Sequence, residues 1–362
     1  MSIRALRFLT ALVFVSSLAI SQDAPKVAPL PNDPLEVATG PTVVPDTPEK
    51  RVALLDLLER ARQNSAMHAP GMTPFSLKAS FNSIGKDPRN TGYGEVEETW
   101  LNGQTWRWSA RLGDYSQLRI FYQGNAYDEK PRGNIPLRIQ MVRNAVFWPV
   151  VGNFASSLLR MATAKWEGTD LACILISRGG NDATETPGRR WEENEYCIDP
   201  KAGVLRIYSE APGIYCIYDY DGGISFHGRV LPRRSTIVEG GTTVLQITLD
   251  SLEDPNHDPN QFIPTKKMIS HGPGAIMVGP LRFPEIVRAP AGYNGMIQPV
   301  IVHAILDQKG KVLDAEVVQS SDPALATTAL DVVWHSSYLP APERNRPLQR
   351  EAFINVKFTP TS

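Results

Sequence analysis

Apolar and polar residues alternate along much of the chain, first strictly at residues 75–81 (FSLKASF) and then more loosely at 93–101 and 104–112. A period of two is the mark of a half-buried strand. Asn102-Gly103 between the last two runs predicts a tight hairpin turn. Residues 115–124 extend the meander, and strands resume near Lys165 and continue to about Leu252, with Gly240-Gly241 as a further turn. Two stretches break the alternation. At the start, Thr47-Pro48-Glu49 reads as N-cap and first helical residues, followed by Leu54, Leu55, Leu58 and Ala61 on one helical face. Residues 134–163 read as helices interrupted at Pro149. Many consecutive strands with one helical insert predict a large curved antiparallel sheet wrapped on helices.

The chain has 362 residues, enough for two or three domains. The polar stretch 253–260 (EDPNHDPN) is expected to end the first domain, giving 49–254 as the sheet domain, 255–275 as linker and 276–362 as a second domain. Residues 22–48 hold seven prolines and read as an extended linker. Before it, Arg4 and Arg7 precede an uncharged apolar run from Phe8 to Ile20, with Ala19 and Ser21 placed for cleavage, so residues 1–21 read as an export signal. The alternative is an uncleaved inner-membrane anchor. The expected location is the periplasm or cell envelope.

Export makes disulfides possible. Cys173 and Cys197 each lie in a strand-like run, and a hairpin folded near residue 185 brings them opposite each other, which predicts one bridge. Cys216 is then a buried thiol; the alternative is three buried thiols. With 37 basic and 38 acidic residues, no positive excess exists to hold phosphate backbones, which argues against nucleic acid as a partner.

Residues 72–252, with Phe226-His227-Gly228 followed by residues 232–240 (PRRSTIVEG), resemble the LolA/LppX-type envelope lipid-carrier family. That resemblance implies an incomplete barrel whose concave side holds acyl chains. In the tail, residues 299–310 (PVIVHAILDQKG), 311–321 (KVLDAEVVQSS), 323–330 (PALATTAL), 338–341 (YLPA) and 351–358 (EAFINVKF) resemble a TonB C-terminal domain. The residues agree: Val300, Val302, Ala304 and Leu306 share a strand face, as do Ala352, Ile354, Val356 and Phe358, while Leu325, Ala329, Leu330 and Val333 form a helical stripe. Residues 334–338 (WHSSY) depart from the family's usual Trp-x-Phe. The fold class expected is therefore α+β: an antiparallel half-barrel with a helical insert, then a small TonB-like αβ domain.

No GxSxG, HExxH, Walker loop or spaced Cys/His zinc pattern occurs, so no catalytic residue, metal site or cofactor is expected. Asp254, His257 and Asp258 read as solvated linker residues, and His303 as a sheet-surface residue. Trp106 and Trp108 share a strand face and either pack in the core or touch an apolar ligand in the concavity. The final strand, with Phe353, Ile354, Asn355, Val356, Lys357 and Phe358, is the expected edge for adding a partner strand. These expectations describe a periplasmic TonB-like adaptor for envelope transport or energy transduction to outer-membrane receptors, partnered by such a receptor or another envelope protein, with lipid or a lipoprotein acyl chain as the expected ligand. The alternative is a structural envelope module or an envelope hydrolase.

Overall fold

The computed structural model describes residues 42–69, 71–129, 135–152, 154–177, 189–256, 258–272, 279–338 and 349–360. The expected export signal and most of the proline-rich linker lie outside these residues.

The first element is α1 (Pro48–Ser65), where the Thr47 side chain accepts from the Lys50 N–H and Pro48 sits at the helix start. A meander follows: β1 (Phe75–Ser83), β2 (Gly92–Asn102), β3 (Thr105–Leu112), β4 (Tyr115–Tyr122) and β5 (Asn125–Asp128). Then come α2 (Leu137–Phe147), β6 (Leu158–Trp166), β7 (Thr169–Ser177), β8 (Asn194–Asp199), β9 (Val204–Ser209) and β10 (Ile214–Asp219). A small separate hairpin, β11 (Ile224–Phe226) and β12 (Arg229–Leu231), turns at His227 and Gly228, both with positive φ. β13 (Arg234–Glu239), β14 (Thr242–Glu253) and β15 (Ile269–Gly272) complete the first part.

Thirteen of these strands form one open antiparallel sheet in the order β15-β5-β4-β3-β2-β1-β14-β13-β10-β9-β8-β7-β6. On β1 every second residue from Phe75 to Ser83 is buried, as the alternation predicts. A single apolar cluster joins α1 and α2 to residues from both halves of the sheet, including Leu77, Val96, Trp108, Ile176, Leu205 and Ile247. The sheet therefore curves around the two helices, and burying that shared face holds them.

The tail consists of β16 (Leu281–Arg288), β17 (Val300–Leu306), β18 (Val312–Gln319), α3 (Pro323–His335) and β19 (Arg350–Thr359). Its sheet runs β16-β19-β17-β18, with β16 parallel to β19. Asp322 caps α3 by accepting from the N–H groups of Ala324 and Leu325. Leu325, Ala329 and Val333 pack on Val302, Ala304, Leu306, Ala352, Ile354 and Val356.

Two expectations are corrected. Residues 158–163 are strand, not helix: Leu, Arg, Met and Ala favour helix locally, but β6 pairs along its whole length with β7. The expected linker 255–275 is partly built into the first sheet, because Phe262 is buried and β15 pairs with β5. Asp254 and Asp258 are exposed, as expected of a solvated stretch; Asp254 bonds His227 and Asp258 caps a short helical turn at Asn260, while His257 lies outside the described residues.

Cys173 and Cys197 face each other on β7 and β8 and form a disulfide; Cys216 is free and buried. The buried environment pushes the Cys216 thiol up to about 12. Replacing both bridged cysteines with serine should lower unfolding free energy by about 2–4 kcal/mol in urea melts, whereas Cys216→Ala should cost less and leave the m-value unchanged.

Candidate functional site

Among the described residues β16 and β18 are the edge strands of the tail sheet, and β16 pairs with β19 alone. The Ala289 N–H donates to the Thr359 carbonyl at 2.9 Å, so this alternating set of main-chain groups points toward β19. The other set, at Arg282, Pro284, Ile286 and Arg288, then points away from β19. Pro284 removes a donor where no ladder partner needs it, as suits an edge strand. The Ile286 side chain is 74% exposed.

This overturns the expected edge. Phe353, Ile354, Asn355, Val356, Lys357 and Phe358 lie on β19, which pairs with β16 on one side and β17 on the other. The segment that occupies the edge instead is β16, whose central proline masks it as a strand in the sequence. On β18 two side chains meet the loop after β1: the Lys86 N–H donates to the Asp314 carboxylate at 3.2 Å and the Lys86 ammonium pairs with Glu316 at 2.9 Å.

The tail-sheet face opposite α3 is covered by the curved-sheet part. Ile301, Val318 and Phe353 pack with Ala211 and Ile214, and Trp191 lies against them. Gly213, at φ +86°, makes this approach possible, since a Cβ there would stand 2.0 Å from the Val318 carbonyl oxygen. Arg282 reaches across from β16, donating to the carbonyls of Trp191 (3.0 Å) and Glu210 (2.7 Å) while its guanidinium lies 5.4 Å from the Phe353 ring.

At the centre of this seam sits His303, buried rather than on a free sheet surface. Its Nδ1 is 3.3 Å from Glu239 on β13 and its Nε2 is 3.1 Å from Glu351 on β19. Arg138 on α2 forms a two-pronged pair with the same Glu239. Burial alone would push the imidazolium down, but the two carboxylates outweigh it and hold His303 up at about 10. Burial likewise opposes the Glu239 charge, and Arg138 and His303 overcome it, holding this carboxyl well below its usual range. The sequence did carry a signal: residues 300–306 (VIVHAIL) form a nearly unbroken apolar run, and all seven are buried.

A second polar knot beside the seam supplies the start of α2. That helix has no capping side chain of its own. Instead the Leu137 N–H donates to Gln349 Oε1 at 2.8 Å and the Arg138 N–H to Asn90 Oδ1 at 3.0 Å. Asn90 and Gln349 also bond each other at 2.8 Å, and both bond Asp87.

On the inner face of the curved sheet, Trp106 and Trp108 are 7% and 1% exposed and belong to the apolar core cluster. The Arg143 guanidinium from α2 lies 5.1, 4.9 and 4.8 Å from the rings of Trp106, Trp108 and Trp148. Glu98, cross-strand neighbour of Trp108, contacts His68 and stands 4.0 Å from Arg143. Burial pushes the guanidinium down to about 10 despite the Glu98 charge. Nearby, a cavity of about 20 Å³ between Met67, Leu77, Ala145, Val146 and Leu249 has room for about one water and none for an acyl chain.

Comparison with known proteins gives these findings. Residues 282–360 match the family model for the Gram-negative bacterial TonB protein C-terminal region. No curated protein matches the chain. A LolA superfamily protein from Nitrosomonas europaea is similar at 9% identity and TM-score 0.38, over 58% of this chain and 97% of that one. An outer membrane lipoprotein-sorting protein domain from Vibrio parahaemolyticus gives 7% identity and TM-score 0.36, over 57% and 95%. A DUF1329 family protein from Desulfovibrio piger ATCC 29098 gives 10% identity and TM-score 0.40, over 59% and 96%.

The seam predicts a pH signature. A histidine whose folded value is raised contributes stability that is fully present below its unfolded value near 6.5 and is lost as pH rises through about 10. His303→Gln should therefore cost about 3–5 kcal/mol at pH 6, and its deficit against the parent chain should shrink steadily from pH 7 to pH 10. Urea melts at matched pH values check this; a deficit independent of pH would show that the imidazolium charge plays no part.

Proposed function

We propose that the chain is a cell-envelope adaptor that takes an extended segment of a partner protein onto the open side of β16. The observation that carries the reading is the exposed edge of Leu281–Arg288 within the tail that matches the TonB C-terminal family model. Strand addition there would give main-chain hydrogen bonds, each worth about 0.5–1.5 kcal/mol net, and would cover Ile286. The partner class that fits is an outer-membrane receptor or another envelope protein with an unstructured segment. The export signal expected from residues 1–21 fits the same compartment, and no helix among the described residues is long and apolar enough to cross a membrane.

The lipid component of the expected function has less support. With α2 seated, Trp106 and Trp108 are covered by Arg143 and Phe147, so an acyl chain would enter only if α2 left the sheet. Native mass spectrometry of the mature protein from its own envelope tests this directly: a co-purified lipid would restore the lipid reading, and a bare polypeptide mass would remove it.

A photocrosslinker placed at Ile286 in cells should capture an outer-membrane protein, and Arg288→Pro, which deletes an outward N–H, should abolish that capture while shifting stability by less than about 1 kcal/mol. Equal capture from Ile286 with and without the proline would rule out strand pairing at this edge.

A further inference from the structure

The group around Arg143 is built in a way that packing alone does not require. Three indole faces converge on one point, at 4.8–5.1 Å from the guanidinium carbon. Glu98 brings a carboxylate to the same place from a side chain with no exposure, and its Oε2 has no hydrogen-bond partner. Aromatic faces plus one buried carboxylate are the chemistry that binds an organic cation.

The occupant present fits that box poorly. A guanidinium is suited to a forked pair of hydrogen bonds with a carboxylate, as Arg138 makes with Glu239. Arg143 instead stays 4.0 Å from Glu98, and its Nε is buried without a partner. A cation that carries no N–H donor, such as a quaternary ammonium, would meet the three rings and the carboxylate at that distance without burying the unpaired N–H that Arg143 carries. The box also has a rim: Trp100 and Trp148 are only partly buried, and His68 stacks on Trp100 and meets Trp148 edge to face.

We propose that Trp106, Trp108, Trp148 and Glu98 form a binding site for a quaternary ammonium group, held in this conformation by the chain's own Arg143 as a built-in competitor. The site lies on the curved sheet and does not rest on strand docking at β16. The same chemistry arrives either as a free solute or as a phospholipid headgroup.

The test uses the full chain carrying Arg143→Ala, with choline chloride as probe and sodium chloride as control. Choline should raise the unfolding midpoint of this variant by about 3 °C at tenfold excess over its dissociation constant, and should quench tryptophan fluorescence more strongly than in the parent chain. Adding Glu98→Gln should remove the response. If Arg143→Ala folds only when choline is present, the proposal stands on that rescue. If choline neither raises the midpoint nor restores folding, or acts equally with Glu98→Gln, the proposal fails. Response to choline without flotation assigns a free solute. Additional flotation with phosphatidylcholine vesicles, but not with phosphatidylglycerol vesicles, assigns a headgroup; both outcomes support the site.

Discussion

The seam between the tail sheet and the curved sheet governs what the rest of the molecule can do. A four-stranded sheet has two faces and two edges, and here α3 takes one face while the curved-sheet part takes the other. Contacts from Lys86 reach the β18 edge. Among the described residues the outer side of β16 pairs with no strand, beyond the point where Arg282 grips Trp191 and Glu210. Its place at the end of the strand order, more than its own composition, leaves that side unpaired.

The seam also reaches the inner face of the curved sheet through α2. This helix is short, has a proline at its N-cap position and lacks a side-chain cap of its own. Its first N–H groups are satisfied by Asn90 and by Gln349, the residue that leads into β19. From that anchored end, Arg138 points into the seam at Glu239 and Arg143 points into the tryptophan box. One helix therefore carries the tail's position to the box, through hydrogen bonds at one end and a guanidinium further along. A displacement of Gln349 would leave the Leu137 N–H at the start of α2 unpaired.

Much of this was legible in the sequence wherever the physical signal is local. Strict alternation marks β1, and the facing placement of Cys173 and Cys197 follows from a hairpin between two strand-like runs. The tail's strand faces and the α3 stripe follow from periods of two and 3.6. Signals that depend on strand order were not legible. Nothing in residues 351–358 says that a strand about seventy residues upstream will pair beside them, and Pro284 hides that strand from a propensity reading. β6 is a related case, helix-forming by composition and strand by pairing. The Arg143 box joins β2, β3 and the end of α2, so no spacing announces it.

Why ionic groups occupy a seam that apolar residues could fill is a question of specificity more than of strength. Desolvating Glu239, Arg138 and His303 opposes folding, and their mutual attraction must first offset that cost. A purely apolar seam of residues such as Ile214, Ile301 and Phe353 would tolerate sliding by a residue along the strands. The ion cluster does not, because a one-residue slip would turn His303 away from Glu239 and leave buried charges unpaired. Gly213 adds a steric condition of the same kind, admitting Val318 only where no Cβ stands in the way. Charge and close approach together fix one docking geometry, which sets both which edge of the tail stays free and where the start of α2 is held.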